Sequence, residues 1–163
     1  MKFIARTASA ESLKGIGIFA TPIAGKAPDV GAEHVFELTA LDLGMPAGLC
    51  AGRLECVARA RSLVKMERHL RTPEMLSAVD GDAVLCVAPP QEPREGKLND
   101  LRAILLRRGQ TVVLAKGAWH WIPFPTGPSN VHFMVVFRNG TGEDDLHICD
   151  LADFATIDIP QGL

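Results

Sequence analysis

Residues 109–120 hold the first group of side chains that could do chemistry. This stretch has a short β-branched apolar run, then Lys116 and Gly117, and it ends in Trp119 and His120. Gly117 suits a backbone with positive φ before the histidine, which titrates near enough to neutrality to act as an acid or a base. The stretch predicts a strand, a turn and a second strand start with His120 at a pocket mouth. The alternative is a hydrogen-bonded core histidine with Trp119 as packing.

Residues 62–70 hold the second group. If they form one strand, its two-residue period puts Lys65, Glu67 and His69 on one face and Arg68 on the other. A glutamate and a histidine two positions apart on a strand lie about 7 Å apart, which lets them ligate one metal ion or bracket one small substrate. Arg68 is a candidate for binding a carboxylate from the rim. The alternative is a solvent-exposed face, where such side chains are ordinary.

Short strands surround both groups. The strand at 83–88 is almost wholly apolar and is predicted to be central. Other strands are predicted at 2–7, 34–38, 49–57, 101–106, 111–114, 132–138 and 146–150. Helical turns are predicted at 9–13 and 72–76, and a surface loop that could serve as a lid at 21–31. Many short strands at regular spacing predict an all-β barrel or sandwich with a few short helical turns.

Composition excludes several classes of protein. The 163 residues predict a single domain, 1–163. The formal charge of -2 and the lack of tyrosine offer neither an electrostatic nor a stacking surface for nucleic acid, and no attraction to anionic membranes. No segment approaches about 18 consecutive apolar residues, so neither a membrane span nor export is expected. Four cysteines without a C-x-x-C pair predict buried thiols in the cytoplasm.

Four pieces of the sequence resemble a known family in their order and spacing over roughly 2–138. They are residues 9–13 followed by Gly17, the Met-Glu-Arg-His stretch at 66–69, the strand end at 84–89, and the stretch at 109–120 that ends in Gly-Ala-Trp-His. Together they resemble the ureidoglycolate lyase family of allantoin degradation, in the cupin superfamily. The chain departs from the family pattern at 121–123, where a second histidine and a proline are usual, and at His132, where aspartate is usual. These changes leave the apolar alternation intact, so they predict the same fold around a shifted pocket.

The resemblance implies the fold, the reaction and the catalytic groups. The fold would be a cupin-type double-stranded β-helix, or jelly-roll barrel, and the reaction the cleavage of ureidoglycolate to glyoxylate and urea. His120 or Glu67 would act as general base or acid, with His69 positioning the substrate or sharing a metal. Glu67, His69 and His120 would ligate a divalent metal, nickel or manganese, with His132 as a fourth candidate. The alternative is a metal-free pocket.

The resemblance also implies ligands and partners. The substrate would be a small carboxylate, held by Arg68, Lys116, Trp119 and His132, and the protein would be a homodimer. One rival function is a non-catalytic cupin that binds a small sugar or a hydroxy or keto acid, with Trp119 and Trp121 as a platform. Another is a structural homodimer that uses exposed strand edges. Release of glyoxylate from ureidoglycolate would separate the enzyme from both rivals.

Overall fold

Two β-sheets pack face to face. The structure is a computed structural model that describes residues 2–19, 29–30, 35–36 and 48–159. One short helix, α1, occupies Thr141–Asp144, and no helix of the described residues is long and apolar enough to cross a membrane. The strands in chain order are β1 (Lys2–Ile4), β2 (Arg6–Thr7), β3 (Gly17–Phe19), β4 (Asp29–Val30), β5 (Val35–Phe36), β6 (Leu49–Cys56), β7 (Ser62–Arg68), β8 (Glu74–Ala78), β9 (Ala83–Ala88), β10 (Arg102–Leu106), β11 (Thr111–Leu114), β12 (Trp119–His120), β13 (Phe124–Pro125), β14 (Val131–Arg138) and β15 (His147–Asp158).

The first sheet curls back on itself. Its strand order is β1-β15-β7-β12-β9-β10-β2, and β13 pairs with β9. Strands β1 and β2 follow each other along the chain and pair in parallel with β15 and β10, the strands at the two ends of the antiparallel run. One continuous segment therefore bridges both edges of the sheet at Ala5, which is buried, and the sheet is nearly closed.

The curled sheet encloses a core of its own, which we call the curled-sheet core. Its buried members include Met66 of β7, Cys86 of β9, Leu105 of β10 and Trp119 of β12. Since successive residues of a strand point to opposite faces, the neighbours of these residues point out of the curled-sheet core. The side chains of Glu67 and His120 are such neighbours.

The second sheet covers that other face. Its order is β3-β11-β8-β14-β6, and it contributes Leu76, Val112 and Phe133 to a second core. Leu85 and Ile104 enter this core from the first sheet. The two sheets thus form a barrel-like sandwich, with β7 and β12 facing β8.

The predicted all-β fold is confirmed. Strands predicted at 49–57, 62–70, 83–88, 101–106, 111–114 and 132–138 correspond to β6, β7, β9, β10, β11 and β14. The strand predicted at 146–150 is longer than expected, because β15 continues to Asp158 after a register shift between Asp150 and Ala155. The loop predicted at 21–31 and the strand predicted at 34–38 lie outside the described residues, apart from β4 and β5.

The helical turn predicted at 72–76 is wrong, because β8 begins at Glu74. This strand pairs with β11 and β14 on its two sides. Glu74, Leu76 and Ala78 are buried, and the residues between them are half-buried, which is the alternation of a strand and not of a helix. The correction moves a carboxylate into the interior, next to the predicted histidines.

All four cysteines are free thiols, and the predicted burial holds for all except Cys50, which is half-buried. Cys56, Cys86 and Cys149 are buried. Burial raises the pKa of Cys56 to about 11 and that of Cys86 to about 12, because the thiolate loses its hydration. These two thiols therefore stay protonated and act as small apolar groups.

Candidate functional site

Four ionisable side chains meet where the two sheets face each other. Glu67 is near the end of β7, His69 follows that strand, Glu74 opens β8, and His120 ends β12. Strands β7 and β12 pair with His120 opposite Glu67. We call these four residues the His-Glu cluster. Strand alternation turns the side chains of Glu67 and His120 toward the second sheet, because the opposite faces of β7 and β12 pack in the curled-sheet core.

Glu74 is the centre of the His-Glu cluster. Its Oε2 lies 2.9 Å from Nε2 of His120 and 3.1 Å from Nε2 of His69. The side chains of these three residues are 4–8% exposed, whereas that of Glu67 is 21% exposed, with its Oε1 3.6 Å from Nε2 of His120. Glu67 is therefore the member that a small molecule can reach most readily.

The far side of each imidazole ring is fixed by the backbone. Nδ1 of His69 lies 2.9 Å from the carbonyl oxygen of Asp145, and Nδ1 of His120 lies 3.2 Å from that of Ala118. A carbonyl oxygen only accepts hydrogen bonds, so both Nδ1 atoms carry the proton. Both Nε2 atoms consequently face Glu74, and the two rings stand edge to face with centroids 5.2 Å apart.

Two backbone turns hold His69 in place. The amide of Gly117 donates to the carbonyl oxygen of His69 at 2.6 Å, and Gly117 has φ +76, a conformation that glycine adopts without strain. On the other side, the buried carboxylate of Asp145 accepts from the amides of Leu70 at 2.9 Å and Arg71 at 2.8 Å. Gly117, predicted as the turn before His120, thus also holds the backbone of His69 in position.

Opposite charges at short range shift the pKa values of the His-Glu cluster. Burial by itself lowers the pKa of His120, but the charge of Glu74 outweighs burial and raises it to about 9. Burial raises the pKa of Glu74, but the charge of His120 reverses this and lowers it to about 2. The pKa of His69 is raised too, because contact with Glu74 and the Asp145 carbonyl overcomes burial. In the metal-free protein the carboxylate of Glu74 is therefore ionised and His120 protonated near neutrality.

We expect the metal-free protein to lose stability as the pH rises from about 6.5 through 9. The raised pKa of His120 stabilises the fold below the unfolded value of about 6.5, and this contribution disappears as the pH passes the folded value of about 9. The lowered pKa of Glu74 has the reverse sign, so its contribution disappears as the pH falls from about 4.5 to about 2. Tm measured across this range in a chelator should be highest between about pH 4.5 and 6.5. A Tm that rises from pH 6.5 to 9 would contradict the ion pair.

The His-Glu cluster fits a divalent metal. Oε2 of Glu74 and Nε2 of His120 are buried and close together, yet neither has a hydrogen-bond partner with acceptable geometry. Metal bonds of about 2.0–2.2 Å to nitrogen and oxygen separate neighbouring ligand atoms by roughly 3 Å, as found around Glu74. Glu67, His69 and His120 also offer ligand atoms within 4.8 Å of one another. Two imidazoles with carboxylates suit manganese, nickel or zinc.

A cavity of about 320 Å³ opens beside the His-Glu cluster. Glu67, His69 and Glu74 form its ionisable part. The other described residues that line it are Gly52, Arg53, Leu54, Ile122, Val135, Phe137, Thr141, Gly142 and Leu146. Arg53 is the one cation among them, and five of the nine are large apolar side chains. The wall beside the cluster is thus mainly apolar, with the exposed Arg53 at its edge.

Arg68 and Trp119, predicted to bind substrate, lie on the opposite face of the first sheet. The guanidinium of Arg68 stacks 4.6 Å above the Trp119 ring and bonds to Glu92 at 2.8 Å and to the carbonyl oxygen of Gln91 at 2.9 Å. Each of the two precedes a member of the His-Glu cluster, so strand alternation turns it away from the cavity. Neither residue lines the cavity, and Arg68, predicted to bind a carboxylate from the rim, instead pairs with Glu92.

Lys116 and His132 also lie outside the residues that line this cavity. Lys116 is exposed in the turn before β12. His132 is on β14, where Nδ1 lies 2.6 Å from Oδ2 of Asp80 and Nε2 lies 3.9 Å from Oε2 of Glu55. Phe133 and Val135 of the same strand point inward, so His132 points to the outer face of the second sheet. The structure therefore does not place His132 as a fourth metal ligand.

The sequence reasoning missed Glu74 and Asp145. A signal for Glu74 was present, because Leu76 and Ala78 continue its two-residue period and would share its buried face. The side chain of Asp145 had no such signal, since its hydrogen bonds join α1 to a turn more than seventy residues earlier in the chain.

Comparisons with known proteins give a family and a fold. A family model described as ureidoglycolate lyase matches residues 34–158, well over half of the chain. No curated protein matches the chain. Among solved structures, the chain is similar to WlaRA, a TDP-fucose-3,4-ketoisomerase from Campylobacter jejuni, with 10% identity and a TM-score of 0.51 over 74% of this chain and 82% of that one. At this identity the likeness shows the fold alone.

Two further solved structures are similar at lower TM-scores. An oxalate decarboxylase from Lactobacillus farciminis, in complex with formate, has 20% identity and a TM-score of 0.43 over 64% of this chain and 27% of that one. RmlC from Streptococcus suis, in complex with dTDP-D-xylose, has 12% identity and a TM-score of 0.42 over 84% and 72% of the two chains. The chain thus spans about a quarter of the length of the oxalate decarboxylase.

Proposed function

Because the chain belongs to the ureidoglycolate lyase family and has the cupin fold, we propose that it cleaves ureidoglycolate to glyoxylate and urea. The observation that carries the proposal is the His-Glu cluster at the end of a cavity large enough for a small carboxylate. The reaction requires only proton transfers and the breaking of one carbon–nitrogen bond. The hydroxyl group loses a proton, a carbonyl forms, the carbon–nitrogen bond breaks, and the leaving nitrogen gains a proton.

In this proposal His69, Glu74 and His120 hold a divalent metal. Their three ligand atoms converge, and the Nδ1–H groups of both histidines are held by carbonyl oxygens that keep Nε2 free to ligate. When bound, the ion would supply Lewis-acid polarisation of a substrate oxygen. The sequence offers His120 or Glu67 as the acid or base. In this proposal His120 binds the metal and a carboxylate transfers the proton.

Glu67 is the proposed general base and acid. Among the members of the cluster it is the most exposed, and it lines the cavity. Its carboxylate can accept the hydroxyl proton of the substrate and then return the same proton to the departing nitrogen. One carboxylate suffices, because the two atoms that exchange the proton are attached to the same carbon.

The cavity wall orients the substrate and limits water. Arg53 is exposed and pairs with the outward-facing Met134, so it borders the cavity from the outer rim, where we propose that it binds the carboxylate in place of Arg68 and Lys116. Phe137 packs against His69 with ring centroids 6.4 Å apart, and with Ile122 it reduces the access of water to the proton transfer.

The first test is glyoxylate release from ureidoglycolate by the purified protein. We expect turnover with added manganese or nickel, and loss of turnover after dialysis against a chelator followed by recovery when metal is returned. If no metal condition releases glyoxylate while small hydroxy or keto acids still raise Tm, the protein is a binding cupin and the proposed reaction is wrong.

A further inference from the structure

The cavity beside the His-Glu cluster has an apolar wall that ureidoglycolate does not require. Leu54, Ile122, Val135, Phe137 and Leu146 form it, and we call this set the apolar wall. Its members come from β6, the segment after β12, β14, and the segment after α1, so separate parts of the chain build one surface. The carboxylate, hydroxyl and ureido groups of ureidoglycolate are all polar. Any of them placed against such a wall would lose hydrogen bonds to water.

From the apolar wall we propose that the site takes 2-hydroxyglycines whose nitrogen carries an apolar acyl group, and releases glyoxylate with the corresponding amide. This inference rests on the proposed function, because it keeps the same cluster and the same bond cleavage. It changes only the arm beyond the leaving nitrogen, where an alkyl chain replaces the terminal amino group of the ureido unit.

The reaction balances without a further reactant. Glu67 accepts the proton of the 2-hydroxyl group, the oxygen forms a carbonyl with the former α-carbon, and the bond from that carbon to the acylated nitrogen breaks. The electron pair goes to the nitrogen, which takes the proton back from Glu67 and leaves as a primary amide. No atom is oxidised or reduced, and no water is consumed.

The acyl substituent on the nitrogen is the part of the substrate that can carry the apolar group. The carboxylate needs a polar or cationic neighbour such as Arg53, and the hydroxyl group must reach Glu67. Ile122 borders the cavity two positions after His120, so an alkyl chain on the nitrogen can lie against it.

Binding of acylglycines tests this inference without turnover. N-Hexanoylglycine and N-acetylglycine lack the 2-hydroxyl group and cannot be cleaved, and their affinities for the manganese-loaded protein can be measured by calorimetry. Each buried methylene contributes about fourfold in affinity, so we expect N-hexanoylglycine to bind at least about tenfold more tightly. Equal affinities, or no binding of either, would overturn the proposal.

A pair of leucine variants tests whether the preference for the hexanoyl probe comes from the apolar wall or from exposed hydrophobic side chains in general. Leu146 lines the cavity and is 47% exposed, so Leu146→Ser should leave the fold intact and reduce the preference for the hexanoyl probe to less than about threefold. Leu49 is 50% exposed but does not line the cavity, so Leu49→Ser should keep the full preference. If both variants lose the preference, or neither does, the apolar wall is not the cause.

Cleavage assays distinguish this inference from the proposed function. N-Hexanoyl-2-hydroxyglycine and ureidoglycolate both release glyoxylate, so one assay compares their kcat/KM values. We expect the hexanoyl substrate to exceed ureidoglycolate at least about tenfold. Efficient cleavage of ureidoglycolate with none of the acylated substrate would overturn this inference alone. Failure of both substrates would overturn the proposed function as well.

Discussion

Replacing His120 with alanine is expected to lower kcat/KM for ureidoglycolate by about a thousandfold while the protein remains folded. His120 is 3% exposed and brings its Nε2 to within 2.9 Å of Glu74 and 3.6 Å of Glu67. Its loss removes a proposed metal ligand and leaves the charge of Glu74 without its nearest partner. Losses of this size are typical when one member of a coupled catalytic group is removed.

The comparison for this variant is His132→Ala. Both changes delete one histidine from a β-strand, but His132 lies on the outer face of the second sheet, with Asp80 as its partner. We expect the His132 variant to stay within about threefold of the unchanged protein. Circular dichroism and the unfolding midpoint should establish that both variants fold. A folded His120→Ala protein with full activity would remove His120 from the site.

Replacing Glu74 with glutamine is expected to have the largest effect on metal affinity, a loss of at least about a hundredfold. Changes in the groups that only support metal ligands cost about 10–100-fold, and Glu74 contacts both histidine Nε2 atoms directly. The amide has no negative charge to raise the pKa of His120. The fall in Tm of the metal-free protein between about pH 6.5 and 9 should therefore be smaller in this variant, in which Glu67 is the remaining charge that raises the pKa of His120.

Glu67→Gln is the matched control, because it makes the same chemical change in the same cluster. Glu67 lies farther from His120 and is more exposed. If it is the proton carrier, its variant should lose turnover but keep metal affinity within about tenfold, measured by calorimetry with manganese. A Glu67→Gln protein that loses as much metal affinity as Glu74→Gln would make Glu67 a metal ligand and leave the proton transfer without a carrier.

Local patterns along single strands predicted much of the site. The two-residue period of β7 put Glu67 and His69 on one face, and the glycine turn before β12 presented His120, as the structure has them. The same period put Arg68 on the opposite face, where the structure has it. What the period could not show is that this face packs against Trp119 and Glu92 and does not reach the rim of the cavity.

Contacts between distant segments could not be predicted from one sequence. The sequence around Glu74 predicts a helical turn, because the proline before it suits the first turn of a helix as well as the start of a strand. Pairing with β11 and β14 makes this segment a strand, and such pairing depends on residues far along the chain. The support of His69 by Asp145 is of the same kind, since it exists only when α1 packs against the end of β7.

The bridge that β1 and β2 make across the curled sheet has a consequence for folding. The first strand pairs with residues 156–158, so the sheet cannot close until almost the whole described chain has been synthesised. Until then β1 and β7 lack β15, the strand that pairs with both of them, and such unpaired edges are where a nascent chain can pair with a neighbour and aggregate. Contacts of such long sequence separation slow folding. Disruption of β1 should therefore reduce the yield of folded protein more than it alters the His-Glu cluster.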